Sequence, residues 1–403
     1  MQVASAFDML NPAWEAERYV QKAHLIRAGK KRRLATASQT GKGKQLRRLV
    51  DGYLTNPQVK MSALYKAGVR RPNVREWHAE ARSLDLFCAI QETVYWWPEP
   101  KRSGSFRPVC SLPQNLKAAH NMISDVISAM MALPPFIYNV KDRGRDKLAL
   151  QLLAVLRQGF NCYRIYDVQD CFQNVCPDAV YQLKLPRRVI THALDMRNLK
   201  LQPVAIHDAT QSDPIPWDTI IDTAVESGPA GLMQGSPASN LILAYLLQAM
   251  PQPANERGRL FLYGDDLIAV AKTEETADRV EQSLLQFFEQ PSIGPLPLQK
   301  KAAGTGCTFE FLGYEFHRNT MKNTWSIGLS QRNWDELTRD RHLEVLRLHL
   351  ENPSGIFLDD MRSVRRKLLG HAALSDPEAI LRALYDIGPD LAEIQRARSK
   401  WGT

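Results

Sequence analysis

Hydrophobic positions change their spacing several times along the 403-residue chain, and each change marks an element. Through residues 1–95 apolar positions recur at helical intervals among many lysines and arginines, which predicts a basic, mainly helical segment. VYWWPEPKRSGSFRPVCSLP, Val94 to Pro113, breaks that rhythm: aromatic strand residues enter a Gly/Ser turn and leave it in a second short strand, a hairpin. Helical spacing returns over Leu116–Leu133 and Asp146–Gln158, and CYRIYDVQDCF, starting at Cys162, reads as a strand with a tight turn after it. A long helical stretch broken near Pro214 to Pro216 is predicted next, leading to GLMQGSPASNLILAYLLQAM. There a polar, glycine-containing loop opens a strongly apolar helix, with Ser236 or Ser239 near its start.

RLFLYGDDLIAVA, Arg259 to Ala271, is two short apolar strands with Gly264 supplying the turn between them. Glu274–Glu289 is predicted as an amphipathic helix and TFEFLGYEF as one strand. The last 70 or so residues alternate acidic, basic and leucine positions at helical spacing. No internal repeat is present.

Composition narrows the reading. The chain is 44% hydrophobic without a long low-complexity tract, enough for one large core or two to three subdomains. Lys and Arg number 52 against 43 acidic residues, a formal charge of +9 that favours a polyanionic partner, nucleic acid or an acidic membrane surface. No apolar run is long enough to span a bilayer and the opening residues are not a secretory signal, so no membrane partner is expected. Six cysteines show neither CxxC pairs nor zinc spacing and read as small apolar residues of a reducing, cytoplasmic protein. Arg27 to Arg48 is the densest cationic segment and carries no balancing acid of its own, as a solvated arm or a phosphate-contacting segment would.

The candidate chemistry lies in three carboxylates. Asp265 and Asp266 stand side by side at the tip of the predicted hairpin, where like charges repel. Asp167 leaves an apolar strand and is followed by Asp170, Cys171 and Phe172. Aspartate is common in turns, so GDD alone has an ordinary structural explanation. Together, however, the three offer hard oxygen ligands for two Mg2+ ions, with Mn2+ as a substitute.

Five segments then fall in a familiar order. LYGDDLIAVA resembles the YxDD hairpin of reverse transcriptases, and YDVQDCFQN resembles their first palm segment. LMQGSPASN is similar to the QGxxxS loop and helix between those two, FEFLGYEF to the FLG strand that follows, and PKRSGSFRPV to the fingers hairpin that precedes them. The resemblance implies an α+β right-hand polymerase: a helical N-terminal extension over 1–95, fingers over 96–160, a palm over 161–328 and a helical thumb over 329–403. It also implies roles. Asp167 and Asp265 match the principal metal ligands, and Asp266 a supporting carboxylate. Asp170, Cys171 and Phe172 line the nucleotide site, with the Phe172 ring under the sugar excluding a 2′-hydroxyl; plain core packing is the competing role for that ring. Gln234, Gly235 and Ser236 match the loop backing nucleotide and template, where glycine lets main chain approach closely. Arg107 matches the arginine holding the triphosphate, with Lys101 or Arg102 as second cation, and Lys300 or Lys301 the lysine that protonates pyrophosphate. Arg362, Arg365, Arg366 and Lys367 are expected to grip the duplex backbone or to form a solvated face.

RNA-dependent RNA polymerases share the GDD hairpin, but QGSPASN replaces their SGxxxT pattern and Phe172 their second aspartate. A relic scaffold would have lost its aspartates. A length of 403 residues leaves no room for RNase H, integrase or protease segments, so a retroviral type is not expected. The chain resembles compact bacterial enzymes, the retron and phage-defence types. Its long basic N-terminus and the stretch from Leu185 to Pro229 point to a dedicated structured RNA template or an unusual priming mode. The implied partners are that RNA, deoxynucleoside triphosphates and a DNA product; no heptad pattern supports an oligomer.

Overall fold

The computed structural model describes residues 12–41, 43–101, 105–204, 228–253, 257–290, 292–336 and 338–339. All of the expected thumb beyond residues 329–336 and 338–339, including Arg362, Arg365, Arg366 and Lys367, therefore lies outside the described residues, as do Arg102 and Pro214 to Pro216. Eight principal helices are described: α1 (Pro12–Gln39), α2 (Gly43–Leu54), α3 (Pro57–Lys66), α4 (Val74–Ser83), α5 (Gln114–Met130), α6 (Arg145–Arg157), α7 (Ser239–Leu247) and α8 (Glu274–Phe288). The strands are β1 (Thr93–Pro100), β2 (Phe106–Ser111), β3 (Cys162–Val168), β4 (Lys200–Pro203), β5 (Gly258–Tyr263), β6 (Asp266–Ala271), β7 (Leu298–Thr305), β8 (Phe309–Phe311), β9 (Tyr314–Asn319) and β10 (Thr324–Leu329). No helix among the described residues is long and apolar enough to cross a membrane.

The chain divides into two compact units. One comprises residues 1–137, 168–251 and 284–299. Its helical core buries Val59, Met61 and Leu64 of α3 and Leu116, Met122 and Ile123 of α5. The cationic run at Arg27 to Arg48 proves to be partly structural. Its balancing acid is distant in sequence: Asp125 of α5 accepts from Arg27 at 2.6 Å, Lys31 at 2.8 Å and the Tyr53 hydroxyl at 2.7 Å. One half-buried carboxylate thus ties α1 and α2 to α5. Its arginine and lysine partners hold its pKa below the ordinary carboxylate value against the opposing effect of burial.

In the same unit β1 and β2 form the expected hairpin, and β4 adds to β1 in parallel. This corrects the long helix predicted before Pro214. Residues 177–198 form short 3-10 and π turns, and Lys200–Pro203 is a strand. Asp195 explains the interruption, because its side chain accepts from the Arg197 amide and so starts a new turn.

The second unit comprises residues 138–167, 252–283 and 300–403. Its sheet runs β5-β6-β3-β7, and β8, β9 and β10 form a separate meander. Leu148, Leu152 and Leu156 of α6 pack with Ile165, Phe261, Ile268 and Val270 of the sheet and with Phe309, Phe316 and Trp325 of the meander. Each such side chain, fully buried, contributes about 1.5–3 kcal/mol. TFEFLGYEF is two strands, not one. Leu312 and Gly313 both take positive φ (52° and 79°) and close a two-residue turn between the paired Phe311 and Tyr314. The aromatic alternation shifts phase there, from Phe309 and Phe311 to Tyr314 and Phe316.

Candidate active site

β3 and β6 pair antiparallel so that Asp167 lies directly opposite Asp266. Tyr263 pairs with Asp266 across the hairpin, leaving Gly264 and Asp265 as its two-residue turn. Gly264 has φ 68°, the positive value such a turn needs at its first central position. Cross-strand partners share a face of the sheet, so register alone brings Asp167 and Asp266 together, with Asp265 at the tip beside them. The sequence reading gave Asp265 precedence; the direct cross-strand partner of Asp167 is Asp266.

A cation already lies between these two carboxylates. Lys301 of β7 places Nζ 3.0 Å from Asp167 Oδ1 and 3.5 Å from Asp266 Oδ1. Burial pushes the Asp266 carboxyl up to about 6; Lys301 pulls it down, and the charges of Asp265 and Asp167 add to the rise. For Lys301, burial opposes the charge, yet its hydrogen bond to Asp167 and both carboxylates hold its pKa above the usual value. Lys300, its neighbour on the strand, pairs with Glu281 of α8. Successive strand residues face opposite ways, so of the two candidate lysines Lys301 is the one at the aspartates. On the Lys300 side, the buried Arg164 of β3 binds Glu274 and, at 3.0 Å, Asp278, with Glu281 at 3.6 Å.

Among the described residues no three His, Cys, Asp or Glu side chains form a ready metal-binding cluster. The donor chemistry still suits a divalent cation: two acidic oxygens converge on one positive centre, and Asp167 and Asp266 keep 24% and 35% of their side-chain surface open to solvent. An ammonium in that position balances the charge that a metal would otherwise balance.

The other expected site residues lie in the first unit. Arg107 of β2 faces Glu99 of β1 and is ion-paired to it. Lys101 is ion-paired to Asp170, a residue in the left-handed region at φ 46°. Cys171 is buried and Phe172 half-buried in a single helical turn, Cys171–Asn174. The loop at 231–236 is threaded through tight main-chain contacts. Leu232 donates its amide to Phe172 O at 2.7 Å, and a Cβ on Gly231 would lie 2.3 Å from that oxygen. Gln234 bridges Val109 in parallel and accepts from the Cys110 amide at 2.8 Å. Gly235 has φ 97°, and a Cβ there would lie 2.3 Å from Cys110 O. Only glycine fits both approaches.

Sequence reading missed His120 of α5. It is buried, donates from Nε2 to Ala193 O at 2.5 Å and accepts at Nδ1 from the Ser236 hydroxyl at 2.6 Å. Ser236 Oγ also accepts from the Ala238 amide at 3.0 Å. Burial pushes the histidine down to about 4, so the ring is neutral and holds Ser236 by one fixed tautomer. A single histidine on an apolar helix gives no signal of this. Glu99 and Gly231 were likewise not singled out.

Residues 99–316 match the sequence pattern of the family described as reverse transcriptase (RNA-dependent DNA polymerase), more than half of the 403 residues. Three solved telomerase structures are similar at low identity. Telomerase from Candida tropicalis in complex with a TWJ fragment of telomeric RNA is 13% identical, over 77% of this chain and 55% of that one, with a TM-score of 0.39. The apo enzyme from the same organism is 13% identical, over 75% and 59%, at 0.39. Telomerase from Candida albicans with a TWJ fragment is 12% identical, over 69% and 56%, at 0.32. The chain thus spans between 55% and 59% of the length of these relatives. No curated protein sequence matches it significantly. With the hairpin from Glu99, the strand-end Asp167, the glycine loop and the two-aspartate turn all inside the matched span, the chain belongs to the reverse transcriptase (RNA-dependent DNA polymerase) family and has its α+β right-hand polymerase fold.

Proposed function

We propose that the chain is an RNA-directed DNA polymerase whose catalytic residues are Asp167, Asp265 and Asp266. The observation that carries this reading is the Asp167–Asp266 cross-strand pair with Lys301 between them, at a turn whose other member is Asp265. A primer 3′-hydroxyl attacks the α-phosphorus of a deoxynucleotide and loses its proton to water; a new P–O bond forms and the bond to pyrophosphate breaks. Asp167, Asp265 and Asp266 would hold Mg2+, which when bound supplies positive charge for the attacking and leaving oxygens. Lys301 holds a proton beside the aspartates and can pass it to the departing pyrophosphate. Arg107 and Lys101 exchange Glu99 and Asp170 for the triphosphate, and Phe172 sets the sugar preference. The chain's own divisions are read as an N-terminal extension over 1–95, fingers over 96–160, palm over 161–328 and thumb over 329–403.

The finer reading is a bacterial enzyme of the retron or phage-defence type copying a dedicated structured RNA. It rests on the resemblance and on the basic N-terminal region, four of whose cations, Arg32, Arg33, Arg47 and Arg48, are exposed. Extension of oligo(dT) on poly(rA) with Mg2+ and dTTP tests the activity. Asp265→Ala combined with Asp266→Ala should remove it at least about a thousandfold without lowering the thermal melt; full activity in that variant would overturn the assignment. Sequencing the nucleic acid that copurifies identifies the template.

A further inference from the structure

The first unit contains a cavity of about 1110 Å3 that shares no lining residue with the candidate active site. Its lining includes α2 from Gly43 to Asp51, with Arg47, and the segment carrying Lys184, Arg187 and Arg188. All four cations are exposed, and among the described residues none of them pairs with a carboxylate. Asp51 is the single acidic residue in the lining. This differs from Arg27 and Lys31 of the cationic run, which are neutralised by Asp125. Four cations held around a concave surface repel one another, and a polyanion entering that surface relieves the repulsion. The half-buried Phe87 also lines the cavity, an aromatic face on which a base can stack.

We propose that this groove binds a short single-stranded RNA segment, phosphates toward Arg47, Lys184, Arg187 and Arg188 and one base against Phe87. The volume exceeds the roughly 300–1,000 Å3 of a small-molecule pocket, so the groove has room for more than one nucleotide. The combination of cations from two separate segments with an aromatic side chain favours a nucleic-acid strand over an acidic peptide. The choice of RNA over other polyanions rests on the polymerase reading; the groove itself does not. It would hold part of the template RNA by contacts that do not involve the catalytic aspartates.

The test is fluorescence anisotropy of a labelled 12-nucleotide single-stranded RNA on the full chain, across a salt series, with a poly-glutamate peptide of equal charge in parallel. The triple variant Arg47→Gln, Arg187→Gln, Arg188→Gln should weaken RNA binding about tenfold or more. It should also flatten the slope of log K against log salt by about 2, since each lost phosphate contact removes about 0.7 on a single strand. The variant with lysine at the same three positions keeps the charge and should keep the slope. Phe87→Ala should lower affinity at unchanged slope. Crosslinking with 4-thiouridine RNA should label peptides from residues 43–55 or 183–188. Unchanged RNA affinity in the triple variant, an equal loss toward the peptide, or crosslinks confined elsewhere would each overturn the proposal. Failure of wild-type primer extension would count against the polymerase reading alone, because none of these readouts needs catalysis.

Discussion

Asp167 and Asp266 face each other across the β3–β6 ladder with the Lys301 ammonium 3.0 Å from one and 3.5 Å from the other. The lysine lowers the Asp266 carboxyl, which would otherwise stand higher than about 6. Lys301→Ala should therefore move the acidic limb of the pH–rate profile for primer extension upward. It should also cost about a hundredfold in rate, the lower range for a lost general acid. Lys300→Ala, which removes only the Glu281 pair, should leave the limb in place. A pH profile of each variant checks this, and the reverse result would exchange the roles of the two lysines.

Asp266 carries a stability cost that its removal should reveal. Its folded pKa of about 6 lies above the ordinary 3.8, so the native state holds its proton more tightly than the unfolded chain does. Stability then falls as pH rises from about 3.8 through 6, and the deficit persists above that. Asp266→Asn should stabilise the metal-free chain by about 1 kcal/mol at pH 8, a figure discounted because the carboxylate is partly solvated. At pH 3.5 it should change little. Urea midpoints at the two pH values measure the difference.

The neutral His120 gives a dependence of opposite sign. Its folded pKa of about 4 lies below the ordinary 6.5, so the unfolded chain binds the proton more readily. The stability it contributes is complete above pH 6.5 and lost as pH falls toward 4, by roughly 3 kcal/mol in all. Replacing His120 by Gln should remove that part of the acid dependence. Ser236→Ala should leave the histidine buried but release the loop, raising KM for deoxynucleotide more than it lowers kcat.

Asp125→Ala leaves Arg27, Lys31 and Tyr53 without their shared acceptor. An uncompensated charge of this kind costs about 3–5 kcal/mol. The thermal midpoint should drop by several degrees, and more than in Arg27→Ala with Lys31→Ala, where the carboxylate retains Tyr53. The two melts, measured at one pH, decide it.

Phe172→Val tests sugar selection. If the ring blocks a 2′-hydroxyl, ribonucleotide incorporation relative to deoxynucleotide should rise about 10-fold or more, as discrimination set by a few carbon atoms does. An unchanged ratio with a lowered melt would make Phe172 a packing residue.

Much of this was written in local pattern. The β5–β6 hairpin, the strand before Asp167 and the apolar α7 are signalled by periods of two and 3.6 within a few residues of the chemistry. What pattern does not carry is partnership at a distance. Arg27 meets Asp125 across almost a hundred positions. His120 meets Ser236 across more than a hundred. Which of Lys300 and Lys301 faces the aspartates depends on β7 register, and a shift of one residue would exchange them. The strand at Lys200–Pro203 was hidden because β4 takes its identity from pairing with β1, not from its own four residues.

That pairing has a further consequence. β4 is fastened to β1, and Gln234 is fastened to β2, so the chain between Pro203 and Gln234 leaves one hairpin and returns to it. The β1–β2 hairpin is thereby held along both of its outer edges by chain that comes much later in sequence, β4 on β1 and Gln234 on β2, so it cannot complete its pairing until those residues have been made.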